Sequence, residues 1–408
     1  MKRIAVIGRG TVGCTAVAII LAKSDIQVDW YFDPNINPTP VGEGTTLDVP
    51  LEWFKSGLMP LSHDMFELKA TVKTGIRKRN WGSNGTDFFH AFPFSRVGVH
   101  FSGVTFQDVA FNRLVMSDRV TVHERNVTAD DIDNDYVLVC TGSPREITNE
   151  FVDANGICVN AALVSQCPWD AATFDYSLTY AMPNGWIFGI PLRERCSIGY
   201  VHNSDFADEQ QAKEEVAVML DELGLTPARQ NYLKFNNYYR KANFGDRVSY
   251  CGNASFFLEP LEATSITSSI QIIHRSLDIW LGGASPHDAN DWYVEYFKNI
   301  EQMIAMHYAA GSIYDTPFWK YAQSKAGARL DQACQDNELF VNNLIKTNKY
   351  KPNTQDPLES AGTWDRVESY VDNCAGLGLE PLLVDLDSKY KLDRTLYDWD
   401  LSVWETVA

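Results

Sequence analysis

Three places in the sequence carry residue types that suit chemistry. Gly8, Gly10 and Gly13 form a Gly-x-Gly-x-x-Gly pattern, which lets backbone amides approach a pyrophosphate closely. Lys73 lies in a strongly basic segment, and Glu262 lies in the stretch LEPLEATS. A lysine can donate hydrogen bonds, or act as a neutral amine if burial lowers its pKa. A carboxylate can orient a reactant, stabilise a cation or remove a proton.

The glycine pattern stands in the context that a dinucleotide site requires. The apolar run at 3–7 predicts a buried parallel strand directly before it, and a helix follows. Asp33 ends a second strand, 20 residues beyond Gly13, where a carboxylate would hold a ribose hydroxyl. The regular alternation of strands and helices then breaks, and Gly142 later follows another buried strand, a pattern that favours FAD over NAD. The alternative is a glycine turn without a ligand.

The composition narrows the class of protein. The chain has 408 residues and a formal net charge of -18, and an acidic surface argues against nucleic-acid or anionic-membrane partners. The eight cysteines contain no Cys-x-x-Cys pair, which argues against a zinc or dithiol site and favours a reducing, cytoplasmic compartment. The sequence also contains no apolar run of about 18 residues, so no membrane span is predicted.

Periodicity predicts the elements that must position these residues. We expect strands at 67–80 and 135–140 and a hairpin over 186–202 that turns at Arg193-Glu194-Arg195. One helix is expected at about 47–57, with Thr46 as its cap. Further helices are expected at about 208–223, 265–280, 289–309 and 327–346, and Gly311 is expected to end the helix at 289–309. The fold class is therefore α/β.

The motifs together resemble the flavin-dependent tryptophan halogenases, which share the FAD fold of the para-hydroxybenzoate-hydroxylase-like flavoproteins. The matching segments are GRGTVG at 8–13, VGEGT at 41–45, KTGIRKRNW at 73–81, FFHAF at 88–92, GWIFGIP at 185–191, GNASFFLEPLEATSI at 252–266, TPFW at 316–319 and CAGLGLEP at 374–381. The resemblance implies an enzyme in which reduced flavin and oxygen convert a halide into hypohalous acid. That oxidant then halogenates an electron-rich aromatic ring.

The resemblance assigns the chemistry to particular residues. Lys73 matches the catalytic lysine, which activates the oxidant either through a hydrogen bond or as a haloamine, and Glu262 matches the catalytic glutamate. Thr264 and Ser265 match the residues whose backbone amides hold the halide. On pattern alone, Lys73 belongs to a solvated strand face with Lys69, Thr71, Arg77 and Arg79. Glu262 and the two halide residues are also explained as features of a helix start.

Further residues are assigned to the cofactor and the substrate by the same resemblance. The expected FAD-binding residues are Gly8, Gly10, Thr11, Val12, Gly13, Asp33, Gly42, Glu43, Gly44, Thr45, Gly142, Asn253 and Leu258. The expected substrate-binding residues are His90, Phe92, Trp186, Phe188, Pro260, Glu359 and Trp364. Trp186 and Phe188 would separate the organic substrate from the oxygen chemistry of the flavin. Core packing is the competing explanation for Phe92 and for this aromatic pair.

The sequence departs from the family pattern at two motifs. The usual Trp-x-Trp-x-Ile-Pro is here Trp186-Ile187-Phe188-Gly189-Ile190-Pro191, and the usual Ser-Thr-Gly after the glutamate is Ala263-Thr264-Ser265. The chain is also shorter than typical members, in the middle and in the C-terminal substrate region. These differences bear on the substrate, so tryptophan, free indoles and phenols all remain candidates.

The resemblance also implies an organisation and partners. We expect an FAD-binding and catalytic domain over 1–325, with substrate-sheet insertions at about 60–130 and 160–245, and a helical substrate-covering region over 326–408. No segment supplies reduced flavin, so a separate flavin reductase is expected, and a homodimer is one assembly that the sequence leaves open. The rival functions are an aromatic hydroxylase of the same fold and a non-catalytic FAD-binding protein. Asn253 favours the halogenase, since the related hydroxylases carry an aspartate there.

Overall fold

The computed structural model describes residues 3–36, 42–59, 63–82, 84–92, 97–336, 373–374, 376–379, 382, 385–386 and 389. Its strands are β1 (Arg3–Ile7), β2 (Gln27–Phe32), β3 (Gly42–Gly44), β4 (Thr71–Lys73), β5 (Gly75–Trp81), β6 (Thr86–Ala91), β7 (Gly98–Ser102), β8 (Val120–Glu124), β9 (Tyr136–Val139), β10 (Phe151–Asp153), β11 (Ala161–Pro168), β12 (Ser177–Met182), β13 (Gly185–Pro191), β14 (Arg195–His202), β15 (Arg229–Lys234), β16 (Tyr238–Arg240), β17 (Val248–Tyr250) and β18 (Phe256–Phe257). Its α-helices are α1 (Thr11–Lys23), α2 (Asp48–Lys55), α3 (His63–Glu67), α4 (Gly103–Leu114), α5 (Glu209–Glu222), α6 (Thr264–Trp280), α7 (Pro286–Ala310) and α8 (Pro317–Asp336).

A parallel sheet carries the N-terminal glycine turn. Its strands run in the order β17-β9-β1-β2-β8, and β1 pairs with β2 and β9 on either side. Ile4, Ala5 and Val6 are fully buried, as expected for a central parallel strand covered on both faces. Helices α1 and α6 pack together beside this sheet. The predicted strands at 3–7 and 135–140 and the α/β class are confirmed.

A larger mixed sheet forms the second layer. Its order is β15-β11-β14-β13-β12-β5-β6, antiparallel except for the parallel pair β12 and β5. Strands β13 and β14 form the predicted hairpin, with Pro191 opposite Cys196. Buried apolar side chains of these strands, such as Ile198, pack against apolar side chains of α5, such as Val216. The sheet therefore has its own apolar core and brings β13 and β5 toward the glycine turn.

Three predictions about local structure are wrong in detail. The single strand expected at 67–80 is two strands in different sheets, because the extended structure is interrupted between Lys73 and Gly75. Thr46 does not cap α2, since its hydroxyl contacts that of Thr267 instead. Helix α8 begins at Pro317, ten residues before the predicted start, because Pro fits a first helical turn.

Helices α6, α7 and α8 follow one another at the C-terminal end of the described core. The side chain of Ser285 caps α7 by accepting from the amide of Asp288 at 3.1 Å, and Gly311 ends it with φ 74°. This end is the one predicted at Gly311, where a side chain is disfavoured at positive φ. No helix in the described part of the chain combines the length and apolarity needed to cross a membrane. The domain boundary at 325 stays a prediction.

Candidate active site

The glycine turn between β1 and α1 is shaped by close backbone packing. Gly8 has φ 118°, and a Cβ there would lie 2.2 Å from the carbonyl oxygen of Cys140. A Cβ at Gly13 would lie 2.1 Å from the Gly8 carbonyl oxygen. Gly10, in contrast, has open space on its Cβ side, and α1 has no acidic residue in its first turn. The turn therefore leaves a backbone surface and a helix N-terminus free for an anion.

A cleft of about 790 Å³ opens in front of this turn. Asp33 lines it at the end of β2, and its carboxylate accepts from the backbone and side-chain amides of Asn35 at 2.9 and 3.0 Å. Gly142 and Asn253 line the cleft as well. Asp33 thus lies at the carboxyl end of a parallel strand, where a carboxylate can bind a ribose hydroxyl.

Glu43 links the glycine turn to the GEGT segment. The hydroxyl of Thr11 donates to its carboxylate at 3.2 Å. Burial raises the pKa of Glu43 to about 7, although this hydrogen bond favours the charged form. Around neutral pH Glu43 can therefore donate or accept beside the cleft. The open Gly10 face, the helix N-terminus and this polar wall fit FAD, which offers both phosphates and hydroxyls.

Lys73 lies at the end of β4 and is buried. Its ammonium donates to the carbonyl oxygen of Thr45 at 3.1 Å and lies 5.4 Å from the ring centre of Phe92. Burial lowers the pKa of Lys73 to about 8, against the attraction of Glu262, and the Lys78 charge lowers it further. Both Lys73 and Glu262 line the cleft. Lys73 is buried at the end of β4, so the solvated-face interpretation is wrong for this residue.

Glu262 pairs with Lys78, a lysine that was not among the predicted site residues. Lys78 donates to Oε1 of Glu262, and His307 Nε2 lies 3.2 Å from the same oxygen. Burial opposes ionisation of Glu262, but the positive charge of Lys78 outweighs it and holds the pKa of Glu262 well below the ordinary value. Glu262 and Ala263 have φ of 66° and 54°, a left-handed backbone that costs each residue about 1–3 kcal/mol.

A second buried glutamate, also missed from the sequence, lies near the aromatic pair. Oε2 of Glu259 accepts from the indole N–H of Trp186 and the hydroxyl of Tyr308, both at 2.8 Å. Burial raises the pKa of Glu259 to about 7, against these two hydrogen bonds. Trp186 lies 6.2 Å from Phe188, centre to centre, and both line the cleft. Glu259 thus fixes the orientation of one wall of the cleft.

The start of α6 lies at the cleft. Its N-terminal cap is Ala263, which offers no side-chain cap, and its first turn has no acidic residue. Thr264 and Ser265 both line the cleft. Backbone donors and the positive end of a helix suit a halide. The capping alternative is therefore wrong for Thr264, which is the first helical residue rather than the cap.

His90 and Phe92 lie at the end of β6. Their rings are 6.0 Å apart and nearly perpendicular, at 87°. His90 is buried, which lowers its pKa to about 4, so the imidazole is neutral near pH 7. The two rings are therefore perpendicular to each other and do not form two parallel faces.

The structure brings most of the expected site residues to one cleft. Those that line it are Gly8, Gly10, Thr11, Val12, Asp33, Glu43, Gly44, Lys73, Gly142, Trp186, Phe188, Asn253, Leu258, Pro260, Glu262, Thr264 and Ser265. The lining does not include Gly13, Thr45, His90 or Phe92, which lie next to it. Gly42 precedes Glu43 in β3. Glu359 and Trp364 lie outside the described residues. The roles assigned to all of these residues stay predictions.

The sequence contained one indication of the site residues that were not predicted. In β5, Ile76 and Lys78 share the buried face while Arg77 and Arg79 are less buried. A lysine on the apolar side of a strand calls for a buried carboxylate partner. Nothing in the sequence identified that partner as Glu262, or added His307 and Asn373.

Comparison with known proteins identifies the family of the chain. The family model described as tryptophan halogenase matches residues 3–129 and 102–350. The tryptophan 7-halogenase RebH of Lentzea aerocolonigenes is 29% identical over 288 residues, which cover 63% of this chain and 51% of RebH. The tryptophan 6-halogenase SttH of Streptomyces toxytricini is 23% identical over 216 residues, 48% of this chain and 40% of SttH. The chain thus aligns with about half or less of the length of these curated relatives.

Solved structures share the fold. The tryptophan halogenase from Shewanella frigidimarina NCIMB 400 superposes with a TM-score of 0.71 at 17% identity, covering 96% of this chain and 94% of that one. BrvH, a flavin-dependent halogenase from Brevundimonas sp. BAL3, also gives a TM-score of 0.71, at 19% identity, covering 100% and 97%. These likenesses confirm the expected FAD-binding α/β fold. Since the family model spans most of the sequence, the chain belongs to the flavin-dependent tryptophan halogenase family.

Proposed function

We propose that the protein is an FAD-dependent halogenase that uses reduced FAD, oxygen and a halide to halogenate an electron-rich aromatic ring. The observation that carries this proposal is that Lys73 and Glu262, a buried cation and a buried anion, line the same cleft as the glycine turn. The similarity to the tryptophan halogenases RebH and SttH supports the same chemistry.

The residues at the glycine turn would hold FAD. The open backbone at Gly10 and the start of α1 would face the pyrophosphate, Asp33 a ribose, and Glu43 a neighbouring hydroxyl. When bound and reduced, FAD would supply the two electrons that bring oxygen to the oxidation level of peroxide, at which oxygen can oxidise a halide to hypohalous acid. Thr264 and Ser265 would present their backbone amides to the halide at the start of α6.

Lys73 would act on the oxidant as a hydrogen-bond donor. With a pKa of about 8 it is mostly protonated near pH 7, and Thr45 fixes its ammonium. An ammonium that donates to the oxygen of hypohalous acid makes the halogen more electrophilic. The neutral-amine route, through a haloamine, requires a higher pH. The pKa therefore favours the hydrogen-bond role.

Glu262 would serve the aromatic substrate. Its carboxylate is anionic at neutral pH, because the charge of Lys78 outweighs the cost of burial. A fixed anion stabilises the cationic ring intermediate and can accept the proton that the ring loses. Trp186 and Phe188 would separate this reaction from the flavin, and His90, Phe92 and Pro260 would contact the ring, together with Glu359 and Trp364. The substrate would be of the tryptophan, indole or phenol type.

We also propose a diffusing flavin reductase as partner and a cytoplasmic location. The described residues include eight free, buried cysteines, in agreement with a reducing compartment. A homodimer remains one of the assemblies to be tested. If the purified protein alone oxidised NADH at a useful rate, the separate reductase would be unnecessary.

The test is a mass-spectrometric screen. The protein is mixed with FAD, a flavin reductase, NADH, bromide and a panel of tryptophan, indole and simple phenols. We expect a product with the bromine isotope doublet that depends on bromide and on the protein. Oxygenated products without halogen would instead assign an aromatic hydroxylase. FAD binding with no product across a broad panel would favour a binding protein.

A further inference from the structure

A buried cluster lies behind Glu262, on the side away from the cleft. Lys78 is 0% exposed and donates to three acceptors: Oε1 of Glu262, His307 Nε2 at 2.6 Å and the side-chain oxygen of Asn373 at 2.6 Å. An ammonium has three N–H donors, so these contacts use all of them. The three partners come from the turn just before α6, from α7 and from the C-terminal part of the chain.

The cluster has a defined protonation pattern. His307 Nδ1 lies 2.9 Å from the carbonyl oxygen of Met303, so this nitrogen carries the proton and Nε2 is left to accept from Lys78. Burial, and then Lys78, lower the pKa of His307, which agrees with a neutral ring. The ammonium is thus the cation of the cluster, and Glu262 is its anion.

We propose that Lys78, supported by His307 and Asn373, is a positioning residue that fixes the Glu262 carboxylate in its anionic form and in one orientation. This inference rests on the halogenase function proposed above. Lys78 does not line the cleft, whereas Glu262 does, so Lys78 acts through the glutamate rather than on the substrate. Its contacts also anchor the left-handed backbone at Glu262, which no intrinsic preference would hold.

Several charges face Glu262, and Lys78 dominates them. Besides Lys78, His307 and His90 act on the carboxylate, and Glu262 in turn acts on Lys73 across the cleft. His90 and His307 are both displaced toward the neutral form. Without the Lys78 charge, Lys73 is the remaining cation among the described groups that face the Glu262 carboxyl, and Lys73 also has to serve the oxidant. The pKa of Glu262 should then rise, because less positive charge opposes the effect of burial.

The first test is the pH profile of halogenation by Lys78→Met. We expect the acidic limb of the profile to move upward by about one pH unit or more, while oxidation of reduced flavin is retained. Arg77→Met is the matched control, because Arg77 is the neighbouring residue in β5 and pairs with Asp87 at 2.8 Å near the surface. We expect its profile to match the wild type. An unchanged acidic limb in Lys78→Met would overturn the proposal.

A double-mutant cycle keeps the test valid if Lys78→Met folds poorly. Lys78→Met combined with Glu262→Gln leaves no lone buried charge, so it should fold more readily than the single lysine variant. If Lys78 acts through Glu262, the double variant halogenates as slowly as Glu262→Gln alone, within about twofold. A further loss of about tenfold would show an independent role for Lys78 and contradict the proposal.

A measurement on the protein without any turnover separates this inference from the proposed function. Infrared difference spectra between two pH values report protonation of buried carboxyl groups, and the Glu262 band is assigned by its loss in Glu262→Gln. We expect this band to titrate at higher pH in Lys78→Met than in the wild type. The same titration in both would overturn the inference, whatever the reaction. If the band moves but no brominated product forms, the positioning role stands and the halogenase proposal fails.

Discussion

The ammonium of Lys73 donates a hydrogen bond to the carbonyl oxygen of Thr45 at 3.1 Å. Thr45 belongs to the GEGT segment, in which Glu43 also contacts Thr11 at the start of α1. The side chain proposed to activate the oxidant is therefore attached to the wall of the cofactor cleft. Its position depends on the same backbone that would contact FAD.

Halogenation should fall as the pH rises past the pKa of Lys73. Burial lowers that pKa to about 8, so the ammonium is present below this pH and is lost above it. If it acts as a donor, the rate falls about tenfold for each further pH unit. The rate of brominated product formation across pH 6–10, with flavin oxidation followed in parallel as control, measures this. A rate that instead rises through pH 8 would indicate the neutral amine and a haloamine.

Gly10→Val should weaken FAD binding without unfolding the protein. Gly10 has space for a Cβ, so the cost falls on the ligand, whose pyrophosphate needs that space. We expect FAD affinity, measured by fluorescence titration, to fall by at least about tenfold.

Gly327→Val is the matched control, because this glycine is also open on its Cβ side but lies in α8, away from the cleft. Equal FAD affinity of Gly10→Val and the wild type would exclude the turn as the pyrophosphate site. A similar loss in Gly327→Val would mean that the effect is not local.

Ser265→Ala should leave the bromide requirement nearly unchanged. The proposed halide donors are backbone amides at the start of α6, which the substitution keeps. We expect the apparent KM for bromide to change less than about fivefold, the equivalent of one neutral hydrogen bond. Ser265→Gly, the usual family residue, should behave in the same way. A larger increase in both variants would assign the halide contact to the Ser265 hydroxyl.

Glu259 should make the folded state less stable as the pH rises. Its pKa is raised from an ordinary 4.5 to about 7, so the folded state favours the protonated form. Stability is full below about pH 4.5 and is lost progressively up to about pH 7. Glu259→Gln, which keeps an acceptor for Trp186 and Tyr308, should reduce this loss by about 1–3 kcal/mol in urea unfolding at pH 8 compared with pH 5. If the free energy of unfolding changed between pH 5 and pH 8 by the same amount in Glu259→Gln as in the wild type, this role of Glu259 would be refuted.

The sequence predicted the cofactor half of the site better than the substrate half. Gly8, Gly10 and Asp33 are local features of one βαβ unit, so their spacing alone determined where they lie. Lys73 was assigned to the site through the family motif only, since the alternation around it indicated a solvated strand. Lys73 lines the cleft, and no residue pattern marked the interruption between β4 and β5.

The Glu262 cluster could not be predicted because its members are far apart in the chain. Lys78 and Glu262 are 184 residues apart, and Lys78 and Asn373 are 295. Contacts of this kind depend on how two sheets and α7 pack, which no local propensity encodes. Glu259 was missed for the same reason, since its partners Trp186 and Tyr308 come from β13 and α7.

The central claim is that this cleft delivers a halogen through Lys73. The most direct test compares wild type with Lys73→Met for both reduced-flavin oxidation and brominated product, with the surface variant Lys213→Met as control. We predict that Lys73→Met keeps flavin oxidation but loses product by about 100-fold or more, and that Lys213→Met matches the wild type. Brominated product at the wild-type rate from Lys73→Met would contradict the account.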